Sequence, residues 1–98
     1  MIEVRRTELF DKWLAGLRDR NAKARILVRI DRLRLGSLGD AKSVASNLYE
    51  LRVNYGPGYR IYFTWLGNDL ILLLAGGDKK SQPRDIRLAH KMVGELEN

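Results

Sequence analysis

The chain opens with Ile2-Glu3-Val4-Arg5-Arg6, where apolar and polar positions alternate for only a few residues, a pattern that predicts a short edge strand. Thr7 then stands where a helix N-cap belongs. Glu8 and Asp11 suit the positive end of a helix, and Phe10, Trp13, Leu14 and Leu17 recur at i, i+3, i+4, i+7, so a first helix is predicted over residues 8–18. Asp19 or Asn21 can cap a second helix whose inward row is Ile26, Ile30 and Leu33. Arg25, Arg29 and Arg32 form a separate helical row. Gly36 and Gly39 stop that helix, and residues 37–46 carry too little periodicity to assign.

From Leu48 the period changes to two. Leu51 and Val53 point one way, with Glu50, Arg52 and Asn54 pointing the other. After the turn Tyr55-Gly56-Pro57-Gly58, Ile61 and Phe63 alternate with Arg60, Tyr62 and Thr64, which predicts a hairpin with one basic, aromatic-bearing outer face. Gly67-Asn68 reads as a two-residue hairpin turn. The unbroken apolar run Leu70 to Ala75 reads as a central strand covered on both sides, ended by Gly76-Gly77-Asp78. Gln82 followed by Pro83 resembles the start of a last helix, which docks through Ile86, Ala89, Val93 and Leu96. The predicted fold class is α+β in the order β-α-α-β-β-β-α: a small, mainly antiparallel sheet against two N-terminal helices, plus a C-terminal helix. Without a repeat or long linker, residues 1–98 are expected to form a single domain.

Composition narrows the partners. Cysteine is absent, so no disulfide or thiolate metal site is expected, and a cytoplasmic chain is the natural reading. The longest apolar run falls far short of the roughly 20 residues that a membrane helix needs, and the first residues lack a signal-peptide pattern. Eighteen Lys and Arg against twelve Asp and Glu give a net charge of +6. Ten of the basic residues lie in positions 1–35 against five acidic ones, so the excess is concentrated near the N-terminus. Such a balance favours acidic partners, RNA first among them.

Catalytic signatures built on phosphate loops, nucleophile elbows or paired histidines are missing; His90 is the only histidine, and its helical position suits a surface or partly packed residue. No metal or cofactor site is predicted. What remains is a set of cations and tyrosine: Arg52, Arg60 and Tyr62 on the hairpin, with Lys79 and Lys80 just beyond the long strand. RNA is cut without metal when its 2′-hydroxyl attacks the adjoining phosphate, and cations then neutralise the developing charge while other groups move the protons. A plainer role fits the same residues, with Arg52 paired to Glu50 and Tyr62 covering the sheet. The row Arg25, Arg29 and Arg32 suits RNA phosphates, an acidic antagonist, or solvent alone.

Three segments together carry a resemblance: Leu48-Tyr49-Glu50-Leu51-Arg52, Tyr55-Gly56-Pro57-Gly58-Tyr59-Arg60-Ile61-Tyr62-Phe63, and Leu72 to Gln82. They are similar to the addiction-module killer proteins, a HigB-like branch of the RelE/ParE toxin superfamily, and the likeness spans nearly the whole chain. The resemblance implies a toxin of a type II toxin–antitoxin system, held in check by a helix-turn-helix, HigA-like antitoxin. It further implies a ribosome-dependent, metal-independent mRNA endoribonuclease that inhibits translation. Arg60 matches the superfamily's transition-state arginine; Arg52 and Lys79 or Lys80 fall at other basic positions, implying phosphate binding. The chain lacks a tyrosine early in its last helix, where the family's general acid or stacking residue would stand, leaving Asp85 and Tyr62 as substitutes. The alternative within the superfamily is a non-catalytic, ParE-like toxin that binds DNA gyrase.

Overall fold

The computed structural model describes residues 1–97. Among these the order is β1 (Glu3–Arg6), α1 (Glu8–Ala15), α2 (Arg20–Arg34), β2 (Ala41–Ala45), β3 (Leu48–Val53), β4 (Tyr59–Trp65), β5 (Leu70–Asp78) and α3 (Gln82–Leu96). The strands form one sheet in the order β1-β5-β4-β3-β2. β1 runs parallel to β5, with Val4 opposite Ile71, and the other pairings are antiparallel. The predicted α+β class and edge position of β1 therefore hold. No helix among the described residues is long and apolar enough to cross a membrane.

Both N-terminal helices start on capping side chains. Thr7 accepts from the Phe10 amide at 3.0 Å, and Asp19 accepts from Asn21 and Ala22 at 2.9 and 3.2 Å. α1 is shorter than its apolar stripe predicts. It stops at Ala15, where Gly16 caps it by donating to the carbonyl of Lys12, and Leu17 packs against the core from beyond the helix end.

The unassigned stretch contains β2, an edge strand whose Ala41 pairs with Leu51. Its sequence, Ala-Lys-Ser-Val-Ala, has weak intrinsic β-preference, so the strand exists because β3 offers it a ladder. β5 does not end at Ala75 but runs through Gly76, Gly77 and Asp78. These glycines permit close approach rather than breaking the strand: a Cβ on Gly76 would lie 2.2 Å from the Trp13 ring, and one on Gly77 1.9 Å from Asp85 Oδ2. The turn after β4 is also longer than predicted, because the Leu66 amide donates to the Leu70 carbonyl and encloses three residues. Ser81, not Gln82, precedes α3, so the Gln82 side chain is free to point into the sheet face.

Cores form on both faces of the sheet. On one, α1 and α2 set Phe10, Ile26, Ile30 and Leu33 against Leu51, Ile61, Phe63 and Leu73. On the other, α3 lays Ala89 and Val93 over Leu48, Tyr62, Leu74 and Ala75. A register shift between Tyr62 and Phe63 leaves Leu74 unmatched, and Leu74 joins Ala75 beneath α3. The face that the sequence presents as outer is thus half covered, and the residues left at the margin of α3 form the site.

Candidate functional site

Strand periodicity and register assemble the site. In the β3–β4 ladder Glu50 lies opposite Tyr62 and Arg52 opposite Arg60, all on the α3 side of the sheet. Two arginines directly across a ladder repel one another unless an anion lies between them. Glu50 is that anion, and it is fully buried. Its Oε1 accepts from Arg52 Nε at 3.1 Å and lies 3.7 Å from Arg60 Nε, while its Oε2 accepts from Gln82 Nε2 on α3 at 2.7 Å. The Arg60 contact is an ion pair longer than a hydrogen bond, so that Nε has no hydrogen-bond partner among the described residues. Arg60 Nη1 donates to the Gly58 carbonyl at 2.9 Å. The Arg52 side chain keeps 31% of its surface exposed, Arg60 only 9%.

Lys79 joins this cluster through Gly58. That glycine has φ +79, and a Cβ on it would lie 3.1 Å from Arg60 Nη1 and 3.5 Å from Lys79 Cβ, so the two cationic residues flank one open backbone position. Lys79 and Lys80 are exposed. Lys80 also lines a shallow depression with Arg84 and Arg87 of α3. The structure therefore brings Arg52 and Arg60 together at Glu50, with Lys79 Cβ beside Gly58 at the edge of the pair and Lys80 on the α3 side of that edge.

Arg25, Arg29 and Arg32 are elsewhere. α2 packs on the opposite side of the sheet, and these three line a groove there with Val28 and Val53. The Arg25 guanidinium stands 4.6 Å over the Tyr55 ring. Arg29 donates to the Arg52 carbonyl at 2.5 Å and to that of Leu38 at 3.4 Å, and burial lowers its pKa, an effect that nearby Asp40 opposes. Two of the three predicted RNA-binding arginines are thus engaged within the protein, and none belongs to the Arg60 cluster.

Tyr62 corrects another expectation. It is fully buried beneath α3 rather than displayed on an outer face. Its hydroxyl lies beside Glu50 without reaching hydrogen-bond geometry, and its pKa is raised first by burial and then by the charges of Glu50 and Asp85. A buried, firmly protonated phenol does not meet RNA. Asp85, the other substitute, is also buried and accepts from Ser81 Oγ at 2.5 Å. We expect Tyr62→Phe to leave activity unchanged and to alter stability by no more than about 0.5 kcal/mol, because the lost hydroxyl has no partner to strand. Thermal melting and a growth assay check this; lost toxicity with an intact fold would restore Tyr62 to the site.

Glu50 is the residue that sequence reasoning passed over, apart from noting it as a partner for Arg52. The signal was present in Glu50-Leu51-Arg52, since an i, i+2 pair on a strand shares a face. Gln82, Arg84 and Arg87 left no comparable signal.

An uncharacterised protein of Haemophilus influenzae (strain Rd) is 44% identical over 95 residues, covering 97% of this chain and 96% of that protein. A chain from the crystal structure of the intact E. coli RelBE toxin–antitoxin complex superposes with a TM-score of 0.63 at 10% identity, covering 80% of this chain and 96% of its own length. At that identity the likeness establishes a shared fold. The profile of the family described as phage-derived protein Gp49-like matches residues 12–93. With most of the chain matched, this protein belongs to the phage-derived Gp49-like family, and it shares its fold with a chain of the RelBE complex.

Proposed function

We propose that this protein is the toxin of a type II toxin–antitoxin pair and cleaves mRNA on the ribosome. The observation that carries this reading is the Arg52–Glu50–Arg60 cluster at the margin of α3, flanked by Lys79. A buried carboxylate holds the two guanidinium groups side by side, and planar guanidinium groups match the oxygens of a phosphate. In metal-free RNA cleavage the 2′-oxygen bonds to phosphorus and the bond to the 5′-oxygen breaks, with one proton lost and one gained. Preorganised cations stabilise the extra negative charge of the intermediate. In this reading Arg52 and Lys79 bind the phosphate, and Arg60 braces the charge that develops there.

The fold neighbour is, by its title, a toxin–antitoxin complex, which supports an antitoxin as the partner of this chain as well. A helix-turn-helix, HigA-like antitoxin and a cytoplasmic site of action complete the proposal. The test uses purified protein, ribosomes and a defined message: new 5′ ends are expected only when both ribosomes and toxin are present. Intact messages together with gyrase-dependent chromosome breaks after induction would instead identify a ParE-like toxin that binds DNA gyrase.

A further inference from the structure

We infer that Glu50 is a positioning residue of the RNA site, a fixed anion that sets the spacing of Arg52 and Arg60, and not the group that takes the 2′-hydroxyl proton. The inference rests on the ribonuclease reading above. Both carboxylate oxygens are occupied: Oε1 faces the two arginines and Oε2 accepts from Gln82 at 2.7 Å. With no exposed surface, the carboxylate gives a substrate hydroxyl no approach. A general base must come within about 2.6–3.2 Å of the proton it removes, directly or through one water, and this one is sealed under α3.

The positioning role follows from what Glu50 joins. Arg52 and Arg60 are ladder partners of like charge; Arg60 Nη1 donates to the Gly58 carbonyl, while its Nε, without a hydrogen bond among the described residues, faces Glu50 at 3.7 Å, so the Glu50 carboxylate is the anion that balances the two guanidinium groups. Gln82 then ties the carboxylate to α3, itself anchored by Ala89 and Val93. From the far side of the sheet Arg29 donates to the Arg52 carbonyl, so Arg52 is pinned through both its backbone and its side chain. Gln82 on α3 and Arg29 on α2 thus support Glu50 and Arg52 from two elements besides β3, the kind of support that a preorganised charge site requires.

Glu50→Gln tests this. The introduced amide can keep its oxygen toward the arginines while Gln82 turns its own amide to accept, so shape and hydrogen bonds survive and only the charge is lost. The cleavage rate at saturating ribosomes is expected to fall about 10-fold. Affinity for a short single-stranded RNA should hold or tighten, because local positive charge rises by one. A simple packing defect would not split rate from affinity in this way. Gln82→Leu, which removes only the tie to α3, should show the same split with a loss of a few fold. Unchanged cleavage by folded Glu50→Gln would overturn the inference alone. So would a loss of 100-fold or more with the rising limb of the pH–rate profile abolished, which would mark Glu50 as the base. No cleavage by the wild-type chain would overturn the ribonuclease reading and this inference with it.

Discussion

Arg60→Ala is expected to lower ribosome-dependent cleavage by on the order of 100 to 1,000-fold, about 3 to 4 kcal/mol, the usual loss for one preorganised donor to a developing oxyanion. That loss is large enough to rescue growth on induction. Strand alternation suggested that truncation would cost little stability, but the structure changes that expectation: the Arg60 side chain is 9% exposed and shares a fully buried carboxylate with Arg52. Removing one partner of a buried ion pair typically costs about 3 to 5 kcal/mol. Here Glu50 keeps Arg52 and Gln82, so a stability loss of about 1 to 3 kcal/mol is expected. Arg60→Lys should recover part of the activity, since it keeps the charge without the planar fork that reaches Gly58 and Glu50 at once. Cleavage of a defined message, with circular dichroism to confirm folding, decides the matter. Equal cleavage by wild type and Arg60→Ala would remove Arg60 from the site.

Phe63→Ala is expected to destabilise the fold by about 3 to 5 kcal/mol. Phe63 is fully buried and stacks on Tyr49, with ring centroids 5.5 Å apart and planes at 23°. Its removal loses both apolar burial and a partner ring, at a place where α1, α2 and the sheet meet and collapse is restricted. Ile30→Ala, at the same interface, should cost about 2 to 5 kcal/mol. For a domain of this size each kcal/mol shifts the melting temperature by about 4 to 8 °C, so Phe63→Ala should melt at least about 12 °C below wild type. An unchanged melting temperature would mean that β4 faces the other way and that Arg60 lies under α1 and α2.

Periodicity and end signals were enough to determine several features. Ile61 and Phe63 against Arg60 and Tyr62 gave the two faces of β4, Ile26, Ile30 and Leu33 gave the inward row of α2, and the helix starts were marked by Thr7 and by Asp19 or Asn21, of which the capping bonds select Thr7 and Asp19. These are local properties, because side-chain direction repeats every two residues on a strand and every 3.6 on a helix. What covers each face was decided only by tertiary structure. α3 closed over the face that alternation marked as outer, burying Tyr62 and Glu50 and leaving Arg52 at the margin. β2 formed because β3 supplied its hydrogen bonds, and β5 continued through Gly76 and Gly77 because Trp13 and Asp85 needed the space that those residues leave. The row of Arg25, Arg29 and Arg32 was visible as a helical pattern, yet its placement across the sheet from Arg60 was not. A one-dimensional pattern records which residues share a side of their own element. It carries no account of which element packs there, and that packing turned Glu50 from a surface partner of Arg52 into the buried anion between two arginines.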